Sequence, residues 1–506
     1  MSLGHNKRTY GVGPSLYKSG PSGLSLAQTM AIAHASRVAA DSGILPAGAN
    51  GLASILQSVI TAYGVTSSAD FNTKVPVFLD PQYTGYKLGA GAGTTAGQAA
   101  RTVYAISSSA DVTQTTAASQ PLLLAWSGVN YWWGSGVAGN YCSTPDNVAN
   151  EIVDSFDIAV YASAFDWSQS YGMLQSKFTT GVNGNYYFCT MSGKYLQYAY
   201  SNGVTVPALT TTIKTPFANN TGGWLKVSHN TTTGNVSIYY SNDVPTTTYN
   251  SISWTLLESI ASVLGPRNNY NCPIEIGSNS GGQNPFLGKI YRATISDTIG
   301  GAPVVDFNPS EYSAASSQTD WNSSTGEVWS INVDSTTGTG YRGALVNRTI
   351  CMSDGIDDSL ITNITISTLK TVYSAYKIWN ISATGSLLAS NNGAEIIDAN
   401  LNGSGSVYQY DNLTNNISIS LSGTANKITI RTFVCNGVSS LQQINNGTEA
   451  NGTLSTQVAT SLKLFQERNG SLKSKMIYNT FILTSTTDIS TIRTSMYNVL
   501  KTMNLL

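Results

Sequence analysis

Two hydrophobic periods divide the chain. Near the N-terminus apolar residues recur every three or four positions: in GLASILQSVITAYG, Leu52, Ile55, Leu56, Val59, Ile60 and Tyr63 fall on one face of a helix. The preceding SLAQTMAIAHASRVAADSG spaces Leu26, Met30, His34 and Val38 four apart, with Ser25 as N-cap and Gly43 as stop. Beyond residue 119 the period becomes two. FDIAVYA puts Phe156, Ile158, Val160 and Ala162 on one face of a strand and Asp157 with Tyr161 on the other. Similar runs recur in NYYFCTM, KYLQYAYS, WLKVSHN, NVSIYYSN, PIEIGS and GKIYRATIS, each bounded by Asn, Gly, Ser or Pro. After a polar stretch around 316–345 the alternation resumes in SVYQYDN, in NISISLSG with Ile417, Ile419 and Leu421, and in NKITIRTFV, LKLFQERNG and SKMIYNTFIL. The chain ends in TTDISTIRTSMYNVLKTMNLL, where Asp488 can cap a helix carrying Ile489, Ile492, Met496, Val499 and Met503.

This pattern predicts a mainly β protein of two jelly-roll sandwiches preceded by a short helical region. The boundaries it sets are 1–63 for an extended arm and helical anchor, 64–118 for a connector or small subdomain, 119–345 for the first sandwich and 346–506 for the second with its closing helix. The stripe Leu52, Ile55, Leu56, Val59, Ile60 and Tyr63 is more apolar surface than its own segment of about 40 residues can bury. It therefore requires a partner surface, from another domain, another copy of the chain or another protein, and marks these six residues as anchor or oligomerisation candidates. The connector holds GAGAGTTAGQ, which lacks the Gly-Lys-Ser/Thr ending of a phosphate-binding loop.

Composition narrows the partners. Only 10% of residues are charged, against about 25% in ordinary globular chains, so surfaces are neutral and rich in hydroxyls and amides. With 26 basic and 27 acidic residues in no long runs, nothing would release counterions from a phosphate backbone on a large scale, which excludes nucleic-acid binding. The five cysteines, 142, 189, 272, 351 and 435, are odd in number and include no C-x-x-C pair, so reduced, buried thiols are expected. No apolar h-region opens the chain and no run approaches the roughly 18 apolar residues of a membrane span, so a soluble protein made in the cytosol is expected. More than ten N-x-S/T sequons occur, among them Asn235, Asn363, Asn412 and Asn451, and without a leader they carry little weight.

The segments GNYCSTPDNVANEIVDSFDIAVYASAFDW, LQSKFTTGVNGNYYFCTMSGKYLQYAYSNG, GGWLKVSHNTTTGNVSIYYSND and FLGKIYRATISDTIGGAPVVDFNPSE, in that order, resemble the concanavalin-A-like, laminin-G-like jelly rolls of bacteriophage virion proteins. CMSDGIDDSL resembles the opening of a shorter relative in the second sandwich, and the final helix resembles that superfamily's usual ending. The resemblance implies a structural virion protein, a head fibre, tail fibre or capsid decoration, made in the host cytoplasm without a signal peptide and displayed on the virion surface. The amphipathic stripe at 52–63 predicts a homotrimer or homodimer whose N-terminal region docks on capsid or tail proteins, and the neutral, hydroxyl- and amide-rich surfaces predict weak adhesion of the lectin-like domains to host-surface glycans. No catalysis, cofactor, nucleic acid or membrane is implied. The alternatives are a polysaccharide depolymerase and a bacterial surface adhesin.

Several residues offer chemistry. Cys142 as a nucleophile needs a histidine base, and of His5, His34 and His229 only His229 shares its domain, on a strand face with Leu225 and Val227. Retaining glycosidases of this superfamily set two carboxyls about 5 Å apart, whereas Glu151 and Asp154 in EIVDSFD are three apart and point to opposite strand faces. Asp354, Asp357 and Asp358 are candidate Ca²⁺ ligands without the D-x-D-x-D-G spacing of a calcium loop. Tyr131, Trp132 and Trp133 are the glycan-stacking candidates, with Trp126, Trp167, Trp224 and Trp254 as further rings. The same rings can instead fill a sandwich core or a domain seam.

Overall fold

The computed structural model describes residues 24–504 except 90–97, 108–109, 263–266, 314–318, 334–340, 355–357, 362–364, 370, 379–383, 387, 390–397, 403–405, 412–414, 421–426, 455–456, 461–462, 466–475 and 486–489. The expected arm at 1–23 and the capping Asp488 lie outside the described residues.

The chain is mainly β and is organised as one sandwich inserted into another. The inserted unit runs from the strand Tyr131–Ser135 to the strand Ala344–Val346. One of its sheets orders Thr255–Ala261, Asn235–Ser241, Gly222–Asn230, Phe156–Ala164, Leu287–Ser296, Tyr131–Ser135 and Ala344–Val346, with Val305–Phe307 also paired to Leu287–Ser296. The other orders Ala208–Thr210, Tyr195–Tyr200, Asn183–Met191, Gly172–Thr180, Ile274–Ile276, Tyr141–Thr144, Val328–Asn332 and Asp320–Asn322. Their facing side chains, Ile158, Val160, Leu225, Val227 and Ile295 against Phe188, Leu196, Tyr198, Ile276 and Trp329, form one core. The alternation in FDIAVYA is thus realised as read, with the even-numbered residues inside.

The outer unit takes strands from both ends of the chain. Leu122–Leu124, entering the insertion, pairs antiparallel with Ile350–Met352, leaving it, and Ile350 faces Leu124. This two-stranded neck sits in the middle of a 14-stranded sheet, with Gln98–Val103 on one side and Met476–Thr484 on the other. Val77, Leu79, Val103 and Leu123 share a core with Val372, Phe433, Leu464 and Phe481. The boundaries read from sequence are corrected accordingly. Residues 64–118 are no connector, because Val77–Leu79, Tyr86–Leu88, Gln98–Val103 and Val112–Thr113 are strands of this unit. Leu122–Leu124 likewise belongs to the outer sheet and neck instead of the first sandwich.

Helix α1, Leu26–Ala40, opens with a capping box in which Ser25 Oγ accepts from the Gln28 N–H and Gln28 Oε1 accepts from the Ser25 N–H. Helix α2, Gly48–Tyr63, stops at Gly64, whose φ of 54° lies in the left-handed region that favours glycine. A seven-residue helix, α3, follows at Ser68–Lys74, and α4, Ser490–Met503, closes the chain. Leu52, Ile55, Leu56, Val59, Ile60 and Tyr63 are all buried against Tyr373, Ala375, Ile430 and Ile482 of the outer sheet and Met496, Leu500 and Met503 of α4. The reading of this stripe as an oligomerisation face is therefore corrected: its partner is another part of the same chain. The helix pattern is local, whereas the strands and the helix α4 that cover it lie more than 300 residues further along the sequence.

A buried polar clamp holds the neck in place. Arg348 Nη2 lies 2.5 and 2.7 Å from the Asp80 carboxylate oxygens, and Arg348 Nη1 donates to Asn504 Oδ1 at 2.9 Å. Asp80 also accepts from Thr480 Oγ1 at 2.6 Å and from the Gln82 and Tyr83 N–H groups. One ion pair thus joins the N-terminal segment, the end of the insertion, and the C-terminal strand and helix. Among the described residues no helix is long and apolar enough to cross a membrane.

Candidate functional site

The outward face of the sheet around Phe156–Ala164 gathers chemistry that a core does not need. Strand alternation turns Asp157, Ala159 and Tyr161 outward because Phe156, Ile158 and Val160 occupy the core. Cross-strand register then sets three rows. Ser296, Asp157, Ser228, Ser237 and Ser259 align in the first; Thr294, Ala159, Lys226, Tyr239 and Leu256 in the second; Arg292, Tyr161, Trp224 and Ser241 in the third.

The rings on this face form a continuous line. Tyr131 contacts Tyr291 at 5.3 Å between centroids, Tyr291 contacts Tyr161 at 5.3 Å, Tyr161 contacts Trp224 at 5.6 Å, and Trp224 contacts Trp254 at 6.3 Å. The line is closed at Tyr131 and opens at Trp254, where Trp254 and Tyr239 are half-buried and Leu256 is 53% exposed. The Lys226 ammonium lies between the two open rings, 4.6 Å from the Trp254 centroid and 4.8 Å from that of Tyr239. Its charge is balanced by Asp157 Oδ2 at 3.5 Å, which also accepts the Gly300 N–H at 2.9 Å. Arg292 is neutralised by a forked contact with Asp306, with Nε and Nη2 each within 3.2 Å of a carboxylate oxygen. The result is an electrically neutral shelf with two half-buried rings, an apolar edge and the hydroxyls of Ser237 and Ser259, while Ser296 and Ser228 of the same row are buried. Such a shelf can stack on the C–H face of a pyranose and bond its hydroxyls.

The residues singled out by sequence do not build it. Tyr131, Trp132 and Trp133 are 0, 0 and 2% exposed, so none of the three presents a free ring, and their reading as a glycan platform is corrected. Trp132 fills the inserted sandwich's core, whereas Tyr131 and Trp133 pack with Leu122, Leu124, Ile350 and Met352 in the seam between the two units. Alternation in Tyr131–Ser135 divides them this way. Of the further rings, Trp254 belongs to the shelf, Trp224, wholly buried with Ala159, Tyr249 and Ile252, lies beneath it, and Trp167 is core. Lys226, Tyr239 and Leu256 escape a reading of the sequence because each becomes meaningful only through register. The visible signal is WLKVSHN, whose Trp224, Lys226 and Ser228 alternate against Leu225, Val227 and His229.

The other candidates separate. Cys142 is wholly buried in the core and burial raises its thiol pKa well above the usual range, the reverse of what a thiolate nucleophile needs. His229 is equally buried, its Nδ1 3.0 Å from the Tyr198 hydroxyl, and desolvation followed by the nearby Arg267 charge lowers its pKa to about 3. Glu151 and Asp154 are exposed and precede the strand that begins at Phe156, so the strand-face geometry expected for them does not apply. Asp358 is buried and accepts from the Tyr341 hydroxyl at 3.1 Å and from the Asp354 N–H at 2.9 Å. Asp357 lies outside the described residues, and among the described residues no cluster of three or more His, Cys, Asp or Glu side chains could hold a metal ion. The Asp358 carboxylate is instead turned to these two hydrogen bonds.

No protein-family model matches the chain, and no curated protein matches it. Solved structures similar to it include mouse laminin alpha1 chain domains LG4-5, at 7% identity over 71% of this chain and 89% of that one with a TM-score of 0.28. A putative carbohydrate binding protein from Bacteroides ovatus is similar at 13% identity over 61% of this chain and 87% of that one, TM-score 0.31. The CBM40 of the Ruminococcus gnavus IT-sialidase, bound to alpha2,3 sialyllactose, is similar at 9% identity over 33% of this chain and 89% of that one, TM-score 0.24.

Proposed function

We propose that this chain is a non-catalytic, lectin-like adhesion protein of a bacteriophage particle, a head fibre, tail fibre or capsid decoration, that holds neutral host-surface glycans weakly on its inserted sandwich. The observation that carries the glycan reading is the open end of the ring line: Trp254 and Tyr239 flanking a charge-balanced Lys226 beside exposed Leu256 and the Ser237–Ser259 pair. Supporting the particle assignment is the sequence resemblance of the GNYCSTPDN to NPSE segments. A neutral shelf of this size gives low affinity per site, and repeated copies on a particle would multiply it by avidity. With the α2 stripe buried inside the chain, docking on a capsid or tail falls to surfaces other than that stripe.

The test is retention of the full chain, presented multivalently, on immobilised neutral and acidic polysaccharides. Binding to neutral glycans that falls about tenfold in Trp254→Ala and again in Tyr239→Ala is expected. Retention on no glycan, or binding indifferent to both substitutions, would refute the glycan reading. Locating the chain by immunogold labelling of intact particles tests the virion assignment separately.

A further inference from the structure

The turn leaving the strand Tyr141–Thr144 lays a carboxylate and a carboxamide on one buried lysine. Lys177, on the strand Gly172–Thr180, is 0% exposed and Asn150 2%. The Lys177 ammonium nitrogen is 2.5 Å from Asp146 Oδ1, 2.8 Å from Asn150 Oδ1 and 2.9 Å from the Asn150 main-chain oxygen. Asp146 is nearly buried, its side chain 11% exposed, and its Oδ1 makes this ion pair but no hydrogen bond. The carboxamide is held at both ends: Asn150 Nδ2 donates to the Pro145 oxygen at 3.1 Å, and the Asn147 N–H donates to Asn150 Oδ1 at 3.3 Å. An amine, a carboxamide and a carboxylate thus meet at one buried contact, between a strand on one side and the turn Val148–Asn150 on the other.

We propose that Lys177 and Asn150 join in an intramolecular isopeptide bond, with Asp146 as the proton carrier. Asp146 takes a proton from the ammonium, and the freed Nζ lone pair attacks Asn150 Cγ. The carbonyl electron pair moves onto Oδ1, where the Asn147 N–H already points. When that pair returns, the Cγ–Nδ2 bond breaks. Nζ gives up two protons in all: one completes ammonia on Nδ2, and the other, relayed by Asp146, departs with it as ammonium. The new bond is Nζ–Cγ, no oxidant or cofactor is consumed, and exclusion of water protects the product from hydrolysis. Fixed contact distances supply the proximity that makes an amide reactive toward an amine, and the carboxylate supplies general acid–base catalysis.

Such a bond would tie the turn to the strand 27 residues away in a chain whose five cysteines form no disulfide. It would hold the inserted sandwich closed irrespective of redox conditions.

Intact mass of the denatured full chain tests this directly. The expected mass is about 17 Da below that of the sequence, the loss of one ammonia, and proteolysis with chymotrypsin should release a peptide containing Asn150 joined to one containing Lys177. Lys177→Arg, Asn150→Ala and Asp146→Ala should each restore the full mass, with native circular dichroism confirming the fold of the variants. A wild-type chain at full mass overturns the proposal whether or not any variant folds. So does an ammonia loss confined to Asn150 without a joined peptide, or a gain of about 1 Da there, which would be cyclisation or deamidation.

Discussion

Substituting Arg348 by Met separates the two units energetically. The guanidinium reaches Asp80, Asn504 and the Met503 carbonyl, all buried, and removing one member of a buried ion pair costs about 3–5 kcal/mol because the other charge is stranded. Asp80 keeps three donors, from Thr480 and the Gln82 and Tyr83 backbone, which places the expected loss near the lower end, about 3 kcal/mol. That is a large part of the roughly 5–15 kcal/mol that stabilises a domain. The effect should be confined to the outer unit, and the chain carries its own reporters. All four described α-helices belong to the outer unit, whereas seven of the nine tryptophans, 132, 133, 167, 224, 254, 321 and 329, lie in the insertion. In denaturant titrations the helical circular-dichroism transition of Arg348→Met should move to lower concentration while the tryptophan fluorescence transition stays. The double variant Asp80→Asn with Arg348→Met should recover part of the loss, measured as a coupling energy in a double-mutant cycle. A loss below about 1 kcal/mol, or equal movement of both signals, would refute the clamp as the fastening of the outer unit.

Acid should weaken both units through their buried histidines. Burial lowers His34, in the outer unit, to about 4 and His229, in the insertion, to about 3, each from 6.5. Below pH 6.5 the unfolded chain takes up protons that the folded chain refuses, so stability falls as pH drops from 6.5 toward these values, by about 2 kcal/mol per histidine at pH 5. Denaturation midpoints at pH 7.5 and pH 5 measure this, and unchanged midpoints would contradict it; His229→Gln should flatten the pH dependence of the fluorescence transition alone. Gly134→Ala should destabilise the insertion, since a Cβ there would lie 2.3 Å from the Phe286 carbonyl oxygen, and the fluorescence midpoint reports it. The five buried thiols should be silent to a thiol reagent in the native chain and all react after unfolding; fast native labelling of Cys142 would disprove its core placement.

What the sequence discloses is local. Period two in FDIAVYA and WLKVSHN, the Ser25 cap and the α2 stripe all appear in the fold, because each is set by residues within a turn or two of one another. What it conceals is pairing between distant segments. Nothing near Leu122–Leu124 announces Ile350–Met352 as its neighbour, so the insertion reads as two sandwiches in series. The α2 stripe is visible as apolar, but its cover, Tyr373, Ile430 and Met496, belongs to elements far along the chain. The shelf is hidden for the same reason: Lys226 becomes a site only when register brings Tyr239 beside it and the loop carries Trp254 over it. Burial of Trp132 and Trp133 follows from alternation, which sends neighbouring rings to a core on one side and a seam on the other.

The neck also decides how the molecule bears load. A tug on the inserted sandwich passes into the outer sheet through Leu122–Leu124 and Ile350–Met352 side by side, so the two connections share the tension. Both strands are bonded laterally to neighbours on the far side, Gln98–Val103 and Met476–Thr484. Pulling along the neck must therefore slide several hydrogen bonds at once instead of parting them singly. Mounted in this way, the inserted sandwich can be drawn off only by shearing both strands from the outer sheet together.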